Sequence, residues 1–410
     1  MRDKHLAAYL GVFLVLGLLI ALRTPFGDFP DETSHFAFVK YLRAHHALPR
    51  LSLQGPMISV AFHPPLYYIL ASLVLDPAGR DAVSIVSCRI FSLLLGAGAL
   101  VLLWKSAALV FKRNPAGVHL STALAAFNPM YIFIHSGISN VAMTSLTCAL
   151  MTFLILRIRT QKGDLIRQSW ILGASFGLAL LSRSVAIYLF PVAILVLGLR
   201  AFQESSGSRR LLVKSVLAFC FSAFVISGWW FIRNWLEFGD PFQFRIGRLT
   251  AGPSYTPENP YSPLFLAQTA AFLHASYWAY FGKMEFHAGV AEYVIYLLLE
   301  VLAIVGLVQL LLQKKTDEDF APPGFDIGAL KLLLLLLLLA VGEIFSFNLK
   351  ISSPQGRYLF MAIIPISVAL AAGILKVIEP KSRLRAGRAL LLFLLLFCCY
   401  LLYFYWFRKY

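Results

Sequence analysis

Residues 6–36 read LAAYLGVFLVLGLLIALRTPFGDFPDETSHF, and the change of character inside this stretch decides the fold. Leu6 to Leu22 hold no charged side chain, and an α-helix needs about 20 mostly apolar residues to cross the hydrocarbon core of a bilayer. Arg23-Thr24-Pro25 interrupt the run, and three acids, Asp28, Asp31 and Glu32, follow at once. A first span therefore hands over directly to a polar loop. No small-x-small cleavage signal follows the apolar run, so the expectation is an uncleaved first helix rather than a removed signal sequence.

Working outward, apolar segments of similar length recur at 84–111, 117–134, 139–157, 169–183, 186–203, 211–231, 289–313, 327–347, 357–377 and 389–407. With 6–23 they make about eleven spans. The chain of 410 residues is 59% hydrophobic, against about 45–50% for soluble domains. The expected fold is an all-α polytopic membrane protein, a single transmembrane domain over 1–410. The formal charge of +16 would suggest nucleic acid in a soluble chain, but no folded module remains to bind it. The basic residues gather instead at Lys112-Arg113, 157–167, 200–214, Lys314-Lys315 and 376–388. Short basic loops stay on the cytoplasmic side, so the N-terminus is expected inside, in a plasma (inner) membrane. Cys88, Cys148, Cys220, Cys398 and Cys399 lie in or beside apolar segments. They read as small buried hydrophobes, without disulfides or a thiolate metal site.

This orientation places two long segments, 24–83 and 234–288, on the outer face and leaves 314–326 as a cytoplasmic linker. Both outer segments are rich in aromatic residues, and loops of this length usually carry function. Within the first, 31–47 reads as an amphipathic helix with Phe36, Val39, Tyr41 and Leu42 on the membrane surface. Pro64 to Leu75 is too short to span and reads as an interfacial or re-entrant helix begun by its prolines.

Acids number only 20, so the adjacent Asp31-Glu32 is informative. Acids in a first helical turn serve as caps and favour the helix dipole. The other reading is a carboxylate base at the membrane surface, within reach of an acceptor hydroxyl. His35 lies one turn later on the same face. His63-Pro64-Pro65-Leu66-Tyr67-Tyr68 reads either as a helix start with an aromatic girdle or as a phosphate site, with His63 and Tyr67 at its mouth. In Gln355-Gly356-Arg357-Tyr358 the arginine either snorkels to the interface or grips phosphate, and Gly356 lets a ligand approach the backbone. Arg183 stands at another helix end and carries the same two readings. Arg233, within Trp229 to Asn234, joins Gly239-Asp240-Pro241 and 276–282 in a set that anchors the chain or stacks on a sugar and shapes an acceptor groove.

Together these residues resemble the GT-C class of membrane glycosyltransferases, nearest to polyprenyl-phosphate-sugar transferases related to the lipid A aminoarabinose transferases and the protein O-mannosyltransferases. The resemblance rests on Asp31-Glu32 with His35-Phe36, His63 to Tyr68, Asn128-Pro129 with Ser139-Asn140, Arg233-Asn234 with Gly239-Asp240-Pro241, and Gln355 to Tyr358, in that order from about 24 to 375. It implies a GT-C-like fold and an inverting, metal-independent transfer without a cofactor. Asp31 would be the base, with Glu32 beside it as the second catalytic acid, and His63 and Arg357 would stabilise the departing lipid phosphate. His35, Tyr67, Arg183, Arg233 and Tyr358 complete the candidate substrate-binding set. The implied partners are a polyprenyl-phosphate-linked sugar and a lipid, glycan or protein acceptor. No soluble C-terminal domain is expected after the last span, so the acceptor is expected to be recognised between the helices.

Three rival readings stand beside this one. A lipid-linked-sugar transporter or flippase needs a polar path and often inverted repeats, and the sequence shows neither. A phospho- or acyltransferase on a lipid intermediate shares the need for a base and phosphate binders. Metal dependence would use Asp31, Glu32 and His35 around a hard cation.

Overall fold

The computed structural model describes residues 4–49, 59–112, 114–204, 209–242, 256–312, 325–378 and 383–409. In chain order its helices are α1 (Lys4–Arg23), α2 (Glu32–His45), α3 (Leu66–Ser72), α4 (Asp81–Phe111), α5 (Pro115–Ala126), α6 (Pro129–His135), α7 (Val141–Thr160), α8 (Leu165–Ser182), α9 (Phe190–Glu204), α10 (Arg209–Phe238), α11 (Pro263–Trp278), α12 (Val290–Leu312), α13 (Ile327–Asn348), α14 (Ile363–Val377) and α15 (Arg383–Lys409). Two short 3₁₀ turns, Ser184–Leu189 and Gly356–Ala362, lead into α9 and α14. Among the described residues ten helices are long and apolar enough to cross a membrane, or eleven if α5 and α6 count as one bent span. The chain is an all-α polytopic membrane protein.

The expected continuous span 117–134 is broken, with a bend of 57° between α5 and α6. Pro129 has no N–H to continue the ladder, and its ring crowds the carbonyl one turn back. Asn128 restarts the helix by accepting from Tyr131 N at 2.8 Å, and its amide donates to the Tyr277 carbonyl at 3.1 Å. The break is therefore held by a side chain that reaches another element.

Two other segments depart from expectation. In α2, Phe36 and Val39 do not lie on a membrane surface. They are buried with Phe38 against Tyr67, Tyr68 and Ala71 of α3 and Cys88 of α4, so the helix packs by its apolar side against protein. In the second long segment, α10 runs on to Phe238, and α11 precedes a two-residue hairpin pairing Tyr280 with His287 and Phe281 with Phe286. Residues 243–255 of that segment and 314–324 of the linker lie outside the described residues. Asp326 caps α13 through Ala329 N and meets Arg159 at 2.7 Å and Lys112 at 3.3 Å, tying the same end of α4, α7 and α13 together.

The spans α7 and α14 are the most enclosed, whereas α1, α12 and α15 line the outside. Close packing relies on small residues. A Cβ on Gly306 would strike the Gly373 carbonyl, and one on Gly373 would strike that of Ala303, so α12 and α14 meet backbone to backbone. Without a hydrophobic drive between helices in lipid, this close approach is a main source of association. Gly373→Val should therefore destabilise the bundle by about 1–3 kcal/mol through overpacking, read as a lower midpoint in thermal unfolding of the detergent-solubilised protein. An unchanged midpoint would show that the two helices do not meet at this level.

Candidate active site

Asp31 precedes α2 in the left-handed region, at φ 60°, a conformation that Asp tolerates better than most non-glycine residues. Its carbonyl takes the His35 N–H at 3.0 Å, while its carboxylate makes no cap bond to the helix. The carboxylate instead meets Arg357, Oδ2 to Nη2 at 2.6 Å, and Arg357 Nη1 also donates to the Pro30 carbonyl at 3.4 Å. The guanidinium is buried, whereas the Asp31 side chain is 54% exposed. Arg357 thus reaches the mouth of the site from below.

The next residue behaves differently. Glu32 is 1% exposed and binds Arg89 of α4 through both oxygens at 2.8 Å. The same carboxylate accepts from Gly27 N at 2.8 Å and Ile138 N at 3.4 Å. Arg89 in turn donates to the carbonyls of Ala21, Thr24 and Pro25. Glu32, expected beside Asp31 in catalysis, is committed to holding the chain where α1 ends. Among the described residues no three His, Cys, Asp or Glu side chains are placed to share a metal ion, Asp31, Glu32 and His35 included.

Arg183, at the C-terminus of α8, lies 4.2 Å from the Tyr358 ring, and Arg357 lies 5.4 Å from the same ring. Arg183 makes no ion pair among the described residues. Two carboxylates therefore face three guanidiniums, and the remaining positive charge is on Arg183. His35 and His63 complete the group. Their ring centroids are 6.0 Å apart, and each Nδ1 approaches the Tyr68 hydroxyl, at 2.8 and 3.1 Å. Asn140 Nδ2 lies 3.2 Å from His63 Nδ1.

The charges follow from burial and these neighbours. Burial alone would raise the Asp31 pKa. Arg357, His35 and His63 outweigh it and hold the carboxyl down at about 2. Burial pushes His35 down to about 4, against the pull of Asp31 and with the push of Arg357 and Arg183. Burial and then Arg183 carry His63 well below its ordinary value. At neutral pH the site holds an ionised Asp31 beside two neutral histidines.

Several sequence candidates lie elsewhere or act differently. The buried Tyr67 hydroxyl binds Ser92 of α4 at 2.7 Å, so its neighbour Tyr68 is the one that faces the histidines. Gly356 does not open the backbone to a ligand: its N–H donates to Ser276 Oγ at 2.7 Å, and its Cα packs on the α11 backbone at Ser276 and Tyr277. Arg233 pairs with Glu237 at 2.8 Å within α10 and lies over Trp230. Sequence reasoning missed Arg89, although a lone arginine inside an apolar span is a signal in itself. It also passed over Tyr68 and Asn140 as site residues.

ArnT from Cupriavidus metallidurans bound to undecaprenyl phosphate superposes with a TM-score of 0.54 at 15% identity, over 93% of this chain and 62% of that one. Arabinofuranosyltransferase AftD from Mycobacteria gives 0.55 at 16% identity, over 98% of this chain and 27% of that one. The oligosaccharyltransferase of Archaeoglobus fulgidus in its apo form gives 0.51 at 13% identity, over 97% and 54%. The fold is that of the GT-C class of membrane glycosyltransferases. Within that class, residues 62–230 match the family of dolichyl-phosphate-mannose-protein mannosyltransferases. No curated protein matches the sequence. The chain spans 62% of the length of the ArnT chain.

Two outcomes test this geometry. Glu32→Gln leaves the buried Arg89 without its counter-charge, and breaking such a pair costs about 3–5 kcal/mol; thermal unfolding should show that loss, whereas Glu32 acting only in chemistry would leave the midpoint unchanged. The second concerns pH. The unfolded His35 takes up a proton near 6.5, the folded one only near 4, so stability should fall as pH drops from 6.5 toward 4, by up to about 1.4 kcal/mol per pH unit for this residue. The Asp31 contribution has the opposite origin: its depressed pKa keeps it whole above the ordinary 3.8, and it is lost only as pH falls toward about 2. Unfolding midpoints between pH 7 and 4, compared with those of His35→Gln, should show a flatter dependence in the variant.

Proposed function

We propose that the chain is an inverting glycosyltransferase that moves a sugar from a polyprenyl-phosphate carrier to an acceptor hydroxyl at the non-cytoplasmic face. The observation that carries this reading is the half-exposed Asp31 carboxylate beside one arginine that binds it and a second, Arg183, that makes no ion pair among the described residues. A base next to an available cation is what displacement at a sugar phosphate needs.

In this reading the acceptor oxygen bonds to the anomeric carbon as its proton passes to Asp31. The bond from that carbon to the phosphate oxygen breaks, and its electron pair leaves with the lipid phosphate. Arg183, stacked on Tyr358, receives the developing charge, and fixed cations in a partly dehydrated site are effective in this role. Arg357, expected from the sequence to hold phosphate, orients Asp31 and keeps it ionised. The proton on Asp31 then returns to the departing phosphate or to water.

The lipid tail has a matching surface. An apolar groove of about 280 Å³ lies between α8 and α10, lined by Leu180, Phe224, Phe231, Ile232 and Trp235. Leu180 is one turn before Arg183, so a phosphate at Arg183 would lead its first isoprene units into this groove. The basic ends Lys112, Arg157 and Arg159 of α4 and α7 lie at the opposite ends of their helices from the site, which supports a cytoplasmic N-terminus.

Asp31→Asn should lower kcat about 10²–10⁴-fold, the usual contribution of a general base, with donor affinity retained. Arg183→Ala should weaken capture of a polyprenyl phosphate about 10–100-fold, as loss of a charged hydrogen bond implies. Transfer is measured with a radiolabelled polyprenyl-phosphate sugar in nanodiscs. Retained turnover in Asp31→Asn would remove it as the base. In the same assay EDTA should leave the rate unchanged, and strong inhibition would move the reading to a metal-dependent branch.

A further inference from the structure

The Tyr68 hydroxyl lies between two histidine nitrogens of the same kind, Nδ1 of His35 at 2.8 Å and Nδ1 of His63 at 3.1 Å. A phenol has one proton to give and lone pairs to accept with. Two neutral histidines cannot both accept that proton. If both instead donated to the oxygen, the phenolic proton would be left buried without an acceptor, at a cost of roughly 1–3 kcal/mol. The remaining arrangement is a chain in which one Nδ1–H donates to Tyr68 and Tyr68 donates to the other Nδ1. The two rings then carry opposite tautomers.

Asn140 selects the direction. Its amide nitrogen faces His63 Nδ1 at 3.2 Å, and an N–H there requires the lone pair on that nitrogen, the single one that the Tyr68 hydroxyl also uses, so the two donors share it in a three-centre bond. His63 then accepts at Nδ1 and carries its proton on Nε2. His35 carries its proton on Nδ1 and has a lone pair on Nε2. Tyr68 is fully buried and stacked on Phe38 at 4.0 Å, with rings within 16° of parallel. Its hydroxyl is therefore held at a fixed place. Burial beside Arg183 and Arg357 opposes a second proton on either ring, in keeping with neutral imidazoles.

We propose that Tyr68 and Asn140 are positioning residues that set opposite tautomers in the two histidines of the site, Nδ1–H on His35 and Nε2–H on His63. The inference rests on the glycosyl-transfer reading only for its consequence. His63 offers an uncharged N–H to a phosphate oxygen, adding to Arg183 without a second full charge. His35 offers a lone pair to a hydroxyl on the side of the base. One site thereby presents a donor and an acceptor from chemically identical rings, and exchange of the two tautomers would present each partner with the wrong group.

The direct test is ¹⁵N NMR of the full chain in nanodiscs at pH 7 with histidine-selective labelling, the nine histidines being assigned by comparison with His35→Gln and His63→Gln. The expected result is a protonated-type Nδ1 for His35 and an unprotonated-type Nδ1 for His63. In Tyr68→Phe the His35 signals should average, because its Nδ1–H loses its acceptor, while Asn140 still holds His63 in its form. The same tautomer in both rings, or a doubly protonated ring at pH 7, would overturn the proposal.

Binding of undecaprenyl phosphate gives an independent reading. Glutamine places an amide N–H near the position of Nε2 and asparagine near that of Nδ1. His63→Gln should keep the dissociation constant within about 3-fold of the parent, whereas His63→Asn should raise it about 10-fold. Equal affinity in the two variants would remove His63 as the donor. A parent protein that shows the two tautomers but does not bind undecaprenyl phosphate would count against the glycosyl-transfer reading and leave the tautomer assignment in place.

Discussion

The bidentate pair between Glu32 and Arg89 is the constraint on which the site depends. Both side chains are buried, and a buried charge is tolerated only when its remaining bonding capacity is filled. Here it is filled by backbone: Arg89 takes the carbonyls of Ala21, Thr24 and Pro25, and Glu32 takes the N–H groups of Gly27 and Ile138. One ion pair therefore fixes the exit from α1, the start of α2 and the turn before α7. Among the described residues the Asp31 carboxylate has no such backbone partners of its own. It stands where it does because its neighbour is clamped.

The pairing divides two adjacent acids between two tasks. Glu32 faces inward and is saturated, whereas Asp31, turned aside by its positive φ, faces the opening and meets a single guanidinium. Local chemistry gives each the same carboxylate. Environment alone separates an enclosed anion from one that solvent can reach. The same holds for the arginines, since Arg89 is enclosed by carbonyls and Arg183 rests on the face of Tyr358.

The site gathers where regular helices stop. Asp31 precedes α2, Arg183 ends α8, Arg357 lies in a 3₁₀ turn before α14, and Asn140 immediately precedes α7. A helix interior satisfies its own polar groups and presents only side chains, whereas a helix end can turn a charged residue toward a shared opening. The tight contact of Gly356 with α11 serves this geometry, because it sets the height of the next residue, Arg357.

The membrane class was legible in the sequence because span length and apolarity are local properties, fixed by the thickness of the hydrocarbon core. Asp31, His35, His63, Arg183 and Arg357 were legible as candidates for a related reason, since polar residues at helix ends in so apolar a chain are few. The break at Asn128-Pro129 is written in its own dipeptide, although length and apolarity alone predict a continuous span there. Other features lay beyond any local reading. The partner of Glu32 is 57 residues away and that of Asp31 is 326 away, and the choice of Tyr68 over Tyr67 depends on which side of a seven-residue helix meets α4. Sequence by itself determined which residues can bear charge and where the chain must cross lipid. Only the tertiary structure decided which charges of the site neutralise one another and which of its guanidiniums stands without an ion pair among the described residues, because pairing is a matter of distance in space rather than along the chain.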